Sequence, residues 1–212
     1  MPIRERPGTT KADDIADTSA GQSRRDELLD RAGELMAAKG YDGTSMRDIA
    51  RAVGMLPGSL YYHFSSKETL FLALHGRVVV TMQARVDAAL DETSDPWDRL
   101  EVACVAHVEG LIATGNLVAI VSPGFLDERD GISASIREER SRYEQIFRDL
   151  VAALPLPDGA DRGVLRLHLF GALNWVPTWF DPAGTLTPGQ IARQIVGVFR
   201  AAYLPARAEP AS

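Results

Sequence analysis

Hydrophobic residues recur along this chain at intervals of three and four, and the period-two alternation of a half-buried strand is scarce. Leu28, Leu29, Ala32, Leu35 and Met36 share one face of a helix expected over about 23–39, with Gly40 as its stop. After the turn "YDGT", Ser45 and Asp48 have capping-box spacing and open a short second helix that buries Ile49, Ala50 and Val53 and ends at Gly54. A third helix is predicted over 57–63. Ser65 and Glu68 form a second box before a long fourth helix, about 66–91, striped by Leu70, Leu74, Val78, Met82, Val86 and Leu90. Asp95, Pro96 and Asp98 open a fifth helix that runs to about 114. A short interrupted helix over 117–130, a long one over about 132–153 and an eighth over about 161–176 follow. Thr187, Pro188 and Gln190 open a ninth that ends near Tyr203. The pattern predicts an all-α fold of about nine helices, with disordered tails at 1–21 and 206–212.

The stretch "GMLPGSLYYHFSSKETL", 54–70, joins poor helix formers to a crowd of aromatics. Proline is tolerated at the first helical position because that N–H has no partner anyway. Leu56, just before it, has no side-chain oxygen to cap the helix, so the first backbone N–H groups want an external acceptor. Gly58 adds no bulk, Ser59, Tyr61, Tyr62 and His63 supply donors, and Leu60 and Phe64, four apart, point inward. Two short helices around a glycine turn, the second presenting polar groups at its start, describe a helix-turn-helix; a capped helical hairpin with surface tyrosines is the alternative.

Composition narrows the classes. Apolar residues at 45% suffice for a core and charged residues at 25% are ordinary for a soluble chain. No apolar run reaches membrane-span length, and the start lacks the apolar stretch of a secretory signal, so a cytoplasmic location is expected. The single cysteine, Cys104, excludes an internal disulfide framework and a multi-cysteine zinc site. Cations and anions number 3 and 4 over 1–21, 7 and 7 over 22–70, and 13 and 18 over 71–212. The net charge of −6 therefore sits mainly C-terminally, and a neutral N-terminal domain can still bind DNA when its cations face one way.

"TSMRDIARAVGMLPGSLYYHFSSKETL" resembles the DNA-binding signature of the TetR family of transcriptional regulators, through Thr44, Ile49, Ala50, Gly54, Gly58, Leu60, Tyr61, His63, Phe64, Lys67 and Leu70. The resemblance implies a helix-turn-helix domain over 22–67 and a ligand-binding and dimerisation domain over 68–205. It implies a homodimer on a palindromic double-stranded operator, usually a repressor, moved by a small-molecule effector. Thr44 and Ser45 would touch backbone phosphate and Arg47 would read a base edge. Pro57, Gly58 and Ser59 would face the major groove. Tyr61, Tyr62, His63 and Lys67 would hold phosphates. Leu56 and Pro57 replace a polar pair common there, so base reading leans on Arg47, thymine methyls and DNA shape. Arg24 and Arg25 either reach an adjacent minor groove or form a solvated charge run.

In the C-terminal part, Cys104, His107, Val108 and Leu111 share a face of the fifth helix. With Phe125, Tyr143, Phe147, Phe170, Asn174, Trp175 and Trp179 they would close around an apolar ligand or, singly, form plain core. "FGALNWVPTWFDPAGTLTPGQIA" resembles the last two helices of TetR members that respond to acyl-CoA thioesters, among them regulators of fatty-acid and sterol breakdown. That implies arginines near a pocket mouth, with Arg129, Arg137, Arg140, Arg162 and Arg166 as candidates. The eighth and ninth helices would form the dimer seam through Leu165, Leu169, Leu173, Ile191, Ile195, Val198 and Phe199.

No cofactor and no metal site is expected: His107 and His168 have no metal-ligand spacing. An enzyme is not expected either, since the chain has no nucleophile elbow, phosphate loop or dinucleotide fingerprint. "FLDERD", with Asp127, Glu128 and Asp130, reads as a helix end in water. A TetR-like regulator of drug efflux binding hydrophobic compounds, or a helical protein without DNA activity, stay open as alternatives.

Overall fold

The computed structural model describes the backbone of residues 11–90, 94–115 and 130–203, and the side chains of 24–90, 94–115 and 134–203. Every regular element among them is a helix: α1 Lys11–Lys39, α2 Met46–Ala52, α3 Pro57–His63, α4 Lys67–Leu90, α5 Pro96–Thr114, α6 Asp130–Ala152, α7 Arg162–Trp179 and α8 Pro188–Tyr203. The short helix expected over 117–130 falls almost wholly outside the described residues, as does the tail at 206–212. The chain divides into two compact units, 1–74 and 75–212.

In the first unit, α1 begins at Lys11, so the stretch expected to be a disordered tail to residue 21 is helical over its second half. It lacks an apolar stripe, but it also lacks proline and repeats alanine at 12, 16 and 20, so nothing in its propensity ends a helix there. The expected inner faces hold: Leu28, Leu29, Ala32, Met36, Ile49, Ala50, Leu60, Phe64 and Leu70 are buried. Gly40 after α1 and Gly54 between α2 and α3 sit at φ 76° and 66°, the left-handed region that a side chain resists. The Ser45–Asp48 box forms as expected, with the Asp48 N–H donating to Ser45 Oγ at 3.2 Å and the Ser45 N–H to Asp48 Oδ2 at 3.1 Å. The second box is displaced by one residue. Ser66 and Thr69 cap α4, Ser66 N–H to Thr69 Oγ1 at 3.0 Å and Thr69 N–H to Ser66 Oγ at 3.2 Å, rather than Ser65 and Glu68. Tandem serines offer both registers, and local spacing does not choose between them.

In the second unit, α5 is the central helix. It packs on α6, α7 and most extensively on α8. Asp95 caps it by accepting from the Trp97 and Asp98 N–H groups, both at 3.0 Å, with Pro96 first in the helix. Thr187 and Gln190 make the expected reciprocal cap of α8. α7 runs on to Trp179, past its expected end, because Pro177 lies in the last turn, where its missing N–H frees only one carbonyl. Trp97, Leu100, Cys104, Val108, Phe147, Leu169, Leu173, Val176 and Val196 form the core.

Candidate functional site

The first unit presents an exposed polar surface on α2 and α3. Leu60 and Phe64 anchor α3 from within, which turns Pro57, Gly58, Ser59, Tyr61 and Tyr62 outward. Tyr61 is 50% and Tyr62 89% exposed. Leu56 precedes α3 with no side-chain cap and is itself exposed. Ser45 and Arg47 are exposed on α2, and the Tyr62 and His63 rings meet edge to face. A short helix with an uncapped start, a bulk-free residue and three ring donors is what a groove-reading element needs.

Two residues expected in that surface sit differently. Thr44 is 1% exposed, and its hydroxyl donates to the carbonyls of Gly40, 2.9 Å, and Leu35, 3.3 Å. Its side chain therefore braces the α1–α2 turn and offers nothing to phosphate. Lys67 Nζ donates to the carbonyls of Tyr41, 2.9 Å, and Thr44, 3.0 Å, and lies 4.2 Å from the centre of the Tyr41 ring. It holds the head of α4 to the same turn. Arg24 and Arg25 are also engaged: Arg24 donates to the Val53 carbonyl at 2.9 Å, and Arg25 stacks 5.0 Å over Phe64. Neither is a loose charge.

The second unit contains a small, partly open pocket with an internal volume of about 60 Å³. Val79, Met82, His107, Leu111, Arg140, Tyr143, Glu144, Phe170 and Asn174 line it. Six of these, His107, Leu111, Arg140, Tyr143, Phe170 and Asn174, are residues the sequence singles out. Cys104, Val108 and Phe147 are core behind the lining. Burial drives the Cys104 thiol well above its ordinary range, so it stays protonated. Phe125 lies outside the described residues. Trp175 and Trp179 point away from the pocket, 64% and 52% exposed. Met82 belongs to the stripe predicted for the long fourth helix and Val79 sits beside it. Glu144 was not anticipated; its one signal is that it follows Arg140 by one turn.

His107 is the polar centre of the pocket. Its Nδ1 is 2.8 Å from the Tyr143 hydroxyl and its Nε2 3.1 Å from Asn174 Oδ1. Phe147 and Phe170 pack around it, with ring centroids 5.6 and 5.4 Å away. Burial lowers its pKa to about 4 against the weaker opposing pull of Asn174, so the imidazole is neutral near pH 7. With Asn174 oriented so, a neutral ring donates from Nε2 to Oδ1 and accepts at Nδ1 from the tyrosine O–H. Burial likewise keeps Tyr143 protonated. Of the arginines, Arg140 alone lines the pocket. Arg166 pairs with Glu144 at 3.1 Å, Arg162 donates to the Leu154 carbonyl at 3.1 Å, Arg137 is exposed and Arg129 is outside the described residues.

Most residues expected at the dimer seam are packed within their own chain. Leu165, Leu169, Leu173 and Ile191 are buried within their own chain, and Ile195 and Phe199 are packed against the same core. Of the seven, only Val198 is largely exposed, at 71%. α7 carries two apolar faces, and the leucine spacing marks the inner one. The outer one holds Val164, Leu167, Trp175 and Trp179.

The family model of bacterial regulatory proteins, tetR family, matches residues 28–74, and that of the tetracyclin repressor-like C-terminal domain matches 93–203. The chain belongs to the tetR family of regulators. This TetR-family chain is 31% identical over 193 residues to the HTH-type transcriptional repressor KstR2 of Mycobacterium tuberculosis, covering 86% of this chain and 94% of that one. The solved structure of that ketosteroid regulator superposes with a TM-score of 0.71 at 25% identity, over 86% of this chain and 96% of the other. The structure of AibR in complex with isovaleryl coenzyme A and operator DNA gives 0.72 at 27% identity, over 82% and 97%. The TetR-family chain is thus a transcriptional regulator. Among its described residues no helix is long and apolar enough to cross a membrane, and no group of His, Cys, Asp and Glu has the arrangement of a metal site.

Proposed function

We propose that this protein is a cytoplasmic homodimeric repressor without catalytic activity, released from a palindromic operator by an effector bound among Met82, His107, Tyr143 and Phe170. The observation that carries the reading is the outward cluster on α2 and α3: Arg47, Pro57, Gly58, Ser59, Tyr61 and Tyr62 are all exposed around an uncapped helix start. Arg47 reads a base edge, while Ser45, Tyr61, Tyr62 and His63 fix register on phosphates. Thr44 and Lys67 act as positioning residues behind them. The similarity to a KstR2 repressor and to a regulator holding isovaleryl coenzyme A and operator DNA supports both halves and favours an acyl-CoA-type effector over a drug-efflux ligand. α4 carries Lys67 at one end and the pocket residues Val79 and Met82 farther on, which makes it the element through which occupancy shifts the DNA-competent population. Two copies meet through the outer face of α7, at Trp175 and Trp179, with Val198 of α8.

Fluorescence anisotropy on a duplex selected from a random library tests the reading. Arg47→Ala is expected to cost about 1–3 kcal/mol, concentrated at one base position, and Tyr61→Phe to weaken binding uniformly across sequences. Unchanged affinity in both variants overturns it.

A further inference from the structure

Among the described residues of the first unit, the large hydrophobics left exposed are Leu56, Tyr61 and Tyr62. Each tyrosine carries a hydroxyl that a phosphate or a base edge can use. Leu56, 76% exposed, offers only carbon. Lone surface leucines are ordinary, but this one stands at the head of α3, in the surface that carries Arg47 on α2 and the two tyrosines on α3. Its backbone is held on both sides. The Met55 N–H donates to the Ala50 carbonyl at 2.8 Å, and the Leu56 carbonyl accepts from the Ser59 N–H at 3.0 Å and the Leu60 N–H at 3.3 Å. The side chain is therefore presented from a fixed point, and little ordering is needed when a partner covers it. The next two residues add no polar side chain. Pro57 also lacks an N–H, and Gly58 has open space where a Cβ would stand. Leu56, Pro57 and Gly58 thus form one apolar edge, exposed throughout.

Base edges in the major groove present nitrogen, oxygen and N–H groups, with one apolar exception, the thymine C5 methyl. A leucine pressed onto a phosphate or a polar base edge would strip water from that group and return no hydrogen bond. We propose that Leu56 is a specificity-determining residue that reads a thymine in each operator half-site by packing on its C5 methyl. This rests on the reading of α2 and α3 as the DNA-facing surface and names what the apolar edge of that surface recognises. Arg47 and Leu56 then divide the sequence code, one by hydrogen bonds to a base edge and the other by an apolar contact to a different base pair.

Fluorescence anisotropy with the full-length protein, on the duplex selected from a random library, tests it. Deoxyuridine replaces the thymines one at a time, which deletes the methyl and leaves pairing and every polar edge in place. At least one thymine per half-site is expected to lose about three- to fivefold in affinity on replacement, the contribution of one buried methyl group. Leu56→Ala is expected to bind the thymine and uracil duplexes equally at that position, with wild-type helix content because the side chain is exposed. Arg47→Ala is expected to keep the methyl discrimination. A wild type indifferent to every uracil replacement overturns the inference. So does a Leu56→Ala protein that binds more weakly yet keeps the full discrimination, since another side chain then reads the methyl. Sequence-specific binding of the wild type to the unmodified duplex reports separately on the DNA-facing surface. If that binding holds while methyl discrimination is absent, only the role of Leu56 fails; if it is absent, both readings fail.

Discussion

A few buried polar side chains decide what the exposed ones can do. Thr44 and Lys67 spend their donors on the carbonyls of the α1–α2 turn, and His107 ties Tyr143 to Asn174 across three helices. The histidine has a pH consequence. The unfolded chain takes a proton on this imidazole near 6.5, while burial holds it off in the native state until about 4. The unfolded state therefore binds the extra proton between those values, and native stability falls as pH drops through that window. The loss between pH 7 and 5 is expected to be on the order of 2 kcal/mol. His75, lowered chiefly by burial against the opposing pull of Glu139, adds in the same direction. All three tryptophans, Trp97, Trp175 and Trp179, lie in the second unit, so urea unfolding followed by their fluorescence reads that unit alone. His107→Gln should flatten much of the pH dependence; an equal slope in variant and wild type contradicts the assignment. At this scale the sequence was legible where spacing decides the answer. Leu60 and Phe64, four apart, are inward as read. It was not legible for Thr44 and Lys67, whose hydrogen-bonding groups look available until the turn that consumes them is built.

Helix starts were read well because caps are local chemistry: Ser45, Asp95 and Thr187 each satisfy the N–H groups two or three residues ahead. The Ser66 cap missed by one residue because two serines offered two registers. The face of α7 is ambiguous in the sequence. Leu165, Leu169 and Leu173 have the spacing of an association seam, and that same spacing serves a core. Periodicity tells which residues share a face, not whether the face meets its own chain or another. The two faces make opposite predictions. Trp175→Asp, in the exposed face, should give a helical monomer by sedimentation velocity at micromolar concentration, at little cost to the fold. Leu169→Asp, 0% exposed, should unfold the second unit at a cost of several kcal/mol for a buried unpaired charge. A Trp175→Asp protein that stays dimeric places the seam elsewhere.

On the scale of the whole molecule, two units of different chemistry are joined along one helix. The first presents Arg47 on α2 and phenols on the short α3, whose start has no side-chain cap. The second surrounds a half-open cavity with aromatics, a neutral histidine, Arg140 and Glu144. The net charge of −6 obscures this division, since the negative excess lies in the second unit and leaves the reading surface free of it. The central claim is that two copies read one DNA site together, and it is tested most directly by selecting bound duplexes from a random library with the full-length protein at moderate salt. The account predicts a palindrome whose half-sites are spaced about 34–36 Å, one helical turn, or a multiple of it, centre to centre. Recovery of single, unpaired half-sites, or of no enriched sequence at all, contradicts it.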